Sequence, residues 1–227
     1  MENLDLYAKI EPMIGFYEAY ENLYGRYLKL LQKHPVQRVL DVGCGNGKLL
    51  QKLSRRYEAA GIDISAKMVE IARGKGLDAR HMGLEELAET FDAVVAVADV
   101  LNYMRQRDLQ TFLEGVAAHL EEEGIFMADI NTWHGFAEVA AGSMNVDEED
   151  RFLAIDAAFE EDVLQTDIVY FERQGDSFVK ESAAIMQYYY SVDRIASLSP
   201  MKLIGMHDVS LFSMEESDKT ILIFQKQ

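Results

Sequence analysis

Residues 39–47 read Val-Leu-Asp-Val-Gly-Cys-Gly-Asn-Gly, an apolar run that ends on an acid and is followed by glycines at alternate positions. After a strand, such glycines permit a tight turn, let backbone amides approach a ligand and leave the N-terminus of the next helix open toward it. The chemistry this loop serves is the binding of a nucleotide-like ligand. Asp63 follows about 20 residues later, at the distance where a carboxylate takes ribose hydroxyls in dinucleotide-binding units. Two features separate this loop from a dinucleotide site. The spacing is GxGxG rather than GxGxxG, and Asp41 adds a second carboxylate where no lysine or arginine is present to meet a pyrophosphate.

The elements that must position these residues follow from periodicity. Residues 38–42 read as a strand and 47–57 as a helix with Leu49, Leu50 and Leu53 on one face. Residues 59–64 form the next strand, and Ser65 caps a helix that runs through Met68, Val69 and Ile71 and ends at the glycines of 74–76. A weak strand at 78–81 and a short acidic helix at 85–89 precede 91–98, whose unbroken apolar content suits a strand buried on both faces. A helix over 108–120 and a buried strand over 125–130 continue the alternation. Ahead of it, residues 7–34 hold one or two amphipathic helices stopped by Pro35.

Beyond Asn131 the pattern changes. Residues 152–159, 163–172 and 178–190 read as long antiparallel strands, the last two joined by the turn 174–176. A brief helix at 192–198 and strands at 202–207 and 220–225 close the chain. The fold expected is α/β: a doubly wound, mostly parallel seven-stranded sheet with its last strand antiparallel, an N-terminal helical segment and an antiparallel β insertion forming a lid. The corresponding units are a helical cap over 1–36, a Rossmann-like cofactor-binding domain over 37–130 and 200–227, and the insertion over 131–199.

With these elements placed, residues 39–50 resemble the first motif of the class I, Rossmann-like S-adenosylmethionine-dependent methyltransferases, and Gly61-Ile62-Asp63-Ile64-Ser65 resembles their second. The layout, insertion included, is similar to small bacterial members whose acceptors are mostly undefined. The resemblance implies S-adenosyl-L-methionine as cofactor. Asp41, Gly43, Cys44 and Gly45 would engage its methionine part, Asp63 both ribose hydroxyls, and Ile64 the adenine face. Such a set suits a ligand with an amino group, a carboxylate and a ribose but no phosphate. Where the family has an aspartate for the adenine amino group this chain has Gly83, a departure, with Leu84 left to bond and pack on the ring and Glu85 as a substitute acid. Ala98, Asp99 and Asn102 fall at the strand end that faces the sulfonium and the methyl acceptor in related enzymes. Tyr103 reads as core packing. Tyr7 and Tyr20 are the tyrosines of the N-terminal helices expected to fold over the cofactor.

Methyl transfer from a sulfonium is an in-line displacement, and a base is needed only for an acceptor that is protonated at neutral pH. The insertion emerges where ligands bind in such sheets, outside the carboxyl ends of the strands. His134, just after the fifth strand, and Tyr188 and Tyr190, which share a face at the end of the longest antiparallel run, are the catalytic candidates.

Composition limits the acceptor. Thirty-nine acidic against 22 basic residues leave a net charge of −17, which argues against nucleic acid and for a small molecule. Lys48, Lys52, Arg55 and Arg56 are spaced as a solvated helix face. Cys44 is the single cysteine, so neither an internal disulfide nor a cysteine zinc site can form, and no cluster of histidines and carboxylates suggests a metal. With no basic and apolar leader and no apolar run of about 18 residues, the chain is expected to be cytoplasmic, off the membrane, and a monomer or homodimer. The competing reading is a non-catalytic cofactor-binding or regulatory subunit of the same fold.

Overall fold

A computed structural model describes residues 2–214 and 216–227. The side chains of residues 2–5, 7 and 8 lie outside that description, and the expectation for Tyr7 falls with them.

Two helices, α1 (Glu2–Ile14) and α2 (Tyr17–Leu31), lead into β1 (Arg38–Val42). There follow α3 (Lys48–Leu53), β2 (Glu58–Asp63), α4 (Ala66–Gly74), β3 (Ala79–His81), β4 (Phe91–Ala96), α5 (Gln106–Ala118) and β5 (Leu120–Asn131). A second group comprises β6 (Gly142–Asp147), β7 (Arg151–Glu160), β8 (Val163–Gln174) and β9 (Ser177–Tyr188). Then come α6 (Val192–Leu198), β10 (Lys202–Val209) and β11 (Lys219–Gln225). Ser65 caps α4 as its sequence suggests, its side chain accepting from the Met68 amide. The acidic helix expected at 85–89 is a single 3-10 turn, Leu84–Glu86.

The large sheet runs in the order β10-β11-β5-β4-β1-β2-β3. Strands β1 to β5 pair in parallel, while β11 is antiparallel to both of its neighbours, β5 and β10. The buried strands have apolar side chains on both faces. One face packs Leu40, Val94, Phe126 and Phe224 against α5 and α6, and the other packs Val39, Val95, Met127 and Ile223 against α2 and α3. Ile195 of α6 is fully buried in the first of these cores, so the stretch after β9 packs with the large sheet although it falls inside the expected insertion.

The four-stranded sheet β6-β7-β8-β9 is antiparallel throughout. One of its faces receives Leu6, Ile10 and Met13 of α1 on Leu153, Ile168 and Tyr170. Its far end is tied to the large sheet by the fully buried Asn102, which donates to the Tyr188 carbonyl at 2.9 Å and accepts the Asn131 amide at 3.0 Å. Asn102 therefore spends its polar atoms on joining β9 to β5, not on a ligand. Among the described residues no helix is long and apolar enough to cross a membrane.

Candidate active site

The glycine-rich loop is fastened before and behind. The amides of Gly43 and Cys44 both donate to the Ile62 carbonyl, at 2.9 and 3.1 Å, which binds the loop to β2. Gly47 has φ +80°, and a Cβ there would meet Ala72 Cβ of α4 at 3.0 Å, so glycine allows α3 to start this close to α4. Glu11 of α1 reaches over the loop, accepting from Asn46 Nδ2 at 2.7 Å and Lys48 Nζ at 2.6 Å. Lys75 Nζ donates to the Asn46 carbonyl at 2.6 Å. Lys48 is thus paired with Glu11, while Lys75 bonds the loop's own backbone. On the outer face of α3, Lys52 pairs with Glu21.

Asp41 is 2% exposed and accepts the Leu50 backbone amide, but its Oδ2 is buried with no partner. Burial, and behind it the nearby Asp63 charge, push this carboxyl up to about 7. An orphaned acceptor of this kind fits a ligand's amino group. Asp63 holds the other side of the loop: Oδ2 accepts the Gly45 amide and Oδ1 the Ser65 amide, both at 2.8 Å. Ile64, half exposed at 53%, follows it at the open strand end. Cys44 is buried, and burial raises its thiol well above the ordinary range, so it is no nucleophile.

At Gly83 the geometry is specific. An ideal Cβ built there falls 2.4 Å from both carboxylate oxygens of Glu85, so the Glu85 carboxylate fills the space a side chain at 83 would take. The expectation that the Leu84 side chain packs on the ring is corrected: it is buried in the core beneath α5, 3.1 Å from the Cβ position of Gly115, because the 3-10 turn directs it inward.

After β4 the chain turns through Ala98 and Asp99, both left-handed at φ +67° and +65°, an unfavourable conformation for non-glycine residues. Asp129 of β5 imposes it, accepting the Ala98 amide at 2.8 Å and the Asp99 amide at 3.3 Å while also accepting the Tyr27 hydroxyl at 2.9 Å. Fully buried, Asp129 is raised to about 6, burial being the main cause. Beside it lies a group that periodicity did not single out. Lys219, the first residue of β11 and 2% exposed, forms ion pairs with Asp99 and, at 3.3 Å, with Asp129, and donates to Asn131 Oδ1 at 2.8 Å. Its one sequence signal is position: a lysine opening the apolar strand Thr-Ile-Leu-Ile-Phe cannot avoid burial.

These strand ends open onto a cavity of about 1140 Å³ whose opposite wall is the four-stranded sheet. Asp99, Tyr103, Asn131 and Lys219 line the near side, and residues such as Ile155, Thr166 and Gln187 the far side. Tyr20 also lines it, half-buried and stacked on Tyr24. His134 lies at the rim, Nε2 3.0 Å from Ser213 Oγ and Nδ1 3.8 Å from Glu216. Tyr103, expected as core, is instead 39% exposed and faces the cavity. Tyr188 and Tyr190 are corrections in the opposite sense. In β9 it is Ile185 and Gln187 that face the cavity, so Tyr188 points away, its hydroxyl accepting from Arg105 Nε at 3.0 Å. Tyr190 lies past the strand end, packs on the large-sheet core and donates to the Met104 carbonyl at 2.8 Å.

Comparison with known proteins agrees with this geometry. Residues 39–124 match a family model described as a methyltransferase domain. A putative methyltransferase from Bacillus subtilis, YqeM, is 29% identical over 154 residues, 60% of this chain and 62% of the relative. The chain spans between half and two thirds of the length of the first curated relatives it matches. Among solved structures, an S-adenosylmethionine-dependent methyltransferase from Clostridium acetobutylicum superposes with TM-score 0.76 at 20% identity, covering 99% of this chain and 97% of that one. CalS10, an amino pentose methyltransferase from Micromonospora echinaspora solved with S-adenosylmethionine bound, superposes with TM-score 0.71 at 16% identity, covering 98% and 97%. The chain has the Rossmann-like fold of the class I S-adenosylmethionine-dependent methyltransferases.

Proposed function

We propose that this protein transfers a methyl group from S-adenosylmethionine to a small, amine-bearing acceptor held in the cavity between the two sheets. The observation that supports this reading most is the orphaned, buried Oδ2 of Asp41 beside a glycine loop where Lys48 is paired with Glu11 and Lys75 bonds the Asn46 carbonyl. That is a site for an amino group and a ribose, not for a phosphate.

When bound, the cofactor supplies an activated methyl group, so the chain's task is to align donor and acceptor and to keep water out. In this reading Asp41 holds the methionine end beside the loop 43–45, whose amides are fastened to Ile62 and Asp63, while Asp63 holds the ribose hydroxyls, Ile64 and Glu85 the adenine, and Ala98, Asp99 and Tyr20 the region next to the methyl group. The acceptor side is acidic. The exposed Glu138 and Glu216 line the cavity near His134, while Asp99 is paired with Lys219 and Asp218 turns its carboxylate to the amides of Leu211, Phe212 and Ser213, a balance that draws cations. CalS10, with a similar fold, acts on an amino sugar.

Titration calorimetry with S-adenosylmethionine and with S-adenosylhomocysteine tests the cofactor, the expected result being saturable binding of both. Binding of neither sinks the proposal. Incubation with a panel of amino sugars and simple amines beside matched hydroxy acids should give a mass increase of one methyl group on the amines, and methylation confined to the acids would overturn the acceptor class.

A further inference from the structure

Gln187, one residue before the end of β9, faces the cavity and is 8% exposed, yet among the described residues its carboxamide has no hydrogen-bond partner. The wall around it on β7, β8 and β9 is apolar, built from Ile155, Ala157, Leu164, Ile168 and Ile185. The other polar side chain on this stretch is Thr166, which stands opposite Ile185 while Gln187 stands opposite Leu164, so the two are diagonal neighbours roughly 7–8 Å apart. Withdrawing a carboxamide from water without a partner costs stability, and a leucine would complete the apolar wall without that cost.

The buried polar groups close by are already occupied. Asn102 bonds the Tyr188 carbonyl and the Asn131 amide, Asn131 Oδ1 accepts from Lys219, and Asp218 accepts the amides of Leu211, Phe212 and Ser213. The bond from Asn102 to Tyr188, the next residue of β9, also fixes where Gln187 stands: at the seam where β9 meets the turn after β4 and the end of β5. Asp99 and Asn131 line the cavity on the other side of that seam. A hydrogen-bonding group left open there is placed for a ligand that reaches the strand ends.

We propose that Gln187 selects and orients the methyl acceptor, and that this acceptor is a 1,2-amino alcohol. The proposal rests on the amine-methylating reading above and narrows it. A carboxamide presents an acceptor oxygen and a donor nitrogen side by side in one plane, so both are satisfied by a ligand with an N–H and a hydroxyl oxygen on adjacent carbons. Oε1 accepts from an N–H of the neutral amine, which leaves the nitrogen lone pair free toward the methyl group, and Nε2 donates to the hydroxyl oxygen. The carbon skeleton lies on Leu164 and Ile185. An amine without the hydroxyl leaves Nε2 unpaired, and unpaired polar groups in a closed site are what reject an analogue most strongly.

The test gives the wild-type chain S-adenosylmethionine with either trans-2-aminocyclohexanol or cyclohexylamine, which differ only by the hydroxyl, and follows release of S-adenosylhomocysteine. kcat/KM should favour the amino alcohol by about tenfold or more. Equal values, or turnover of neither, overturn the proposal. In Gln187→Leu the preference should shrink to within about twofold of unity through a higher KM for the amino alcohol, while S-adenosylmethionine affinity by calorimetry stays within about threefold of wild type and the melting temperature does not fall. A preference that survives in Gln187→Leu, or a melting temperature that drops, marks the carboxamide as a structural group and overturns its role in selection. Failure of the wild type to bind S-adenosylmethionine sinks the transferase reading and this one with it, whereas cofactor binding with equal rates for the two amines sinks this proposal alone.

Discussion

The hydroxyl of Tyr27 in α2 donates to Oδ1 of Asp129 in β5 over 2.9 Å, joining residues 102 positions apart at the centre of the molecule. Asp129 uses that same oxygen for the Ala98 amide, so the bond helps fix the strained turn that presents Asp99 to the cavity.

Tyr27→Phe removes one bond to this carboxylate and leaves the ring's packing intact. Tyr27 is fully buried, so no water replaces the lost donor. Unfolding free energy in urea should fall by about 1.5–3 kcal/mol, the range for hydrogen bonds to charged groups. An unchanged denaturation midpoint would mean that the turn at 98–99 does not depend on this bond.

Asp41 predicts a pH signature of opposite sign to that of a paired carboxylate. Its folded value, about 7, exceeds the unfolded one of 3.8, so between those limits the folded chain holds the extra proton and stability declines as pH rises. Below the lower limit both states are protonated and no penalty exists; above the upper one it is complete. Asp41→Asn, which keeps an acceptor for the Leu50 amide, should match wild type near pH 4 and become more stable than it by pH 8. Its affinity for S-adenosylmethionine should drop at the same time. Urea melts across this window, with calorimetry at pH 7.5, check both, and parallel stability curves for the two proteins would sink the idea.

Gly61, in the middle of β2, is needed for want of space. A Cβ there would lie 2.7 Å from Leu50 Cδ2 and 2.8 Å from both Cβ and Sγ of Cys44. Gly61→Ala must push the glycine loop away from β2, and overpacking of this kind costs about 1–3 kcal/mol. Cofactor affinity should fall together with the melting temperature, since the loop that moves is the one that binds. Wild-type values for both would show that the loop has slack.

Much of this was legible in the sequence because local pattern and tertiary role agree there. The alternation of apolar strands with amphipathic helices from 38 to 130 yields the parallel order, and the motifs place Asp41 and Asp63 at adjacent strand ends. Three features were not legible. β6 is a polar edge strand paired only with β7, so Gly-Ser-Met-Asn-Val-Asp shows no apolar alternation. Tyr188 and Tyr190 read as a shared face, but the strand ends at 188, so alternation no longer governs Tyr190. Lys219 depends on pairing between residues far apart in the chain, which no local periodicity reports.

The exchange of an acid for Gly83 supplies the last prediction. Because both Glu85 oxygens lie 2.4 Å from where a Cβ at 83 would stand, the two positions compete for one space, and only one carboxylate can occupy it. If the Glu85 carboxylate accepts the adenine amino group, Glu85→Ala should weaken S-adenosylmethionine binding by about tenfold, the value of one well-formed hydrogen bond to a charged group. Gly83→Asp alone should bring little gain, since its carboxylate must first move that of Glu85. The double variant Gly83→Asp with Glu85→Ala should recover most of the affinity, because the acid is then supplied from the neighbouring position. An analogue with the adenine amino group replaced by hydrogen separates this from a general loss of shape: it should bind wild type and Glu85→Ala alike. If Glu85→Ala instead weakens that analogue as much as the natural cofactor, the carboxylate supports the turn at 83–86 and does not read adenine.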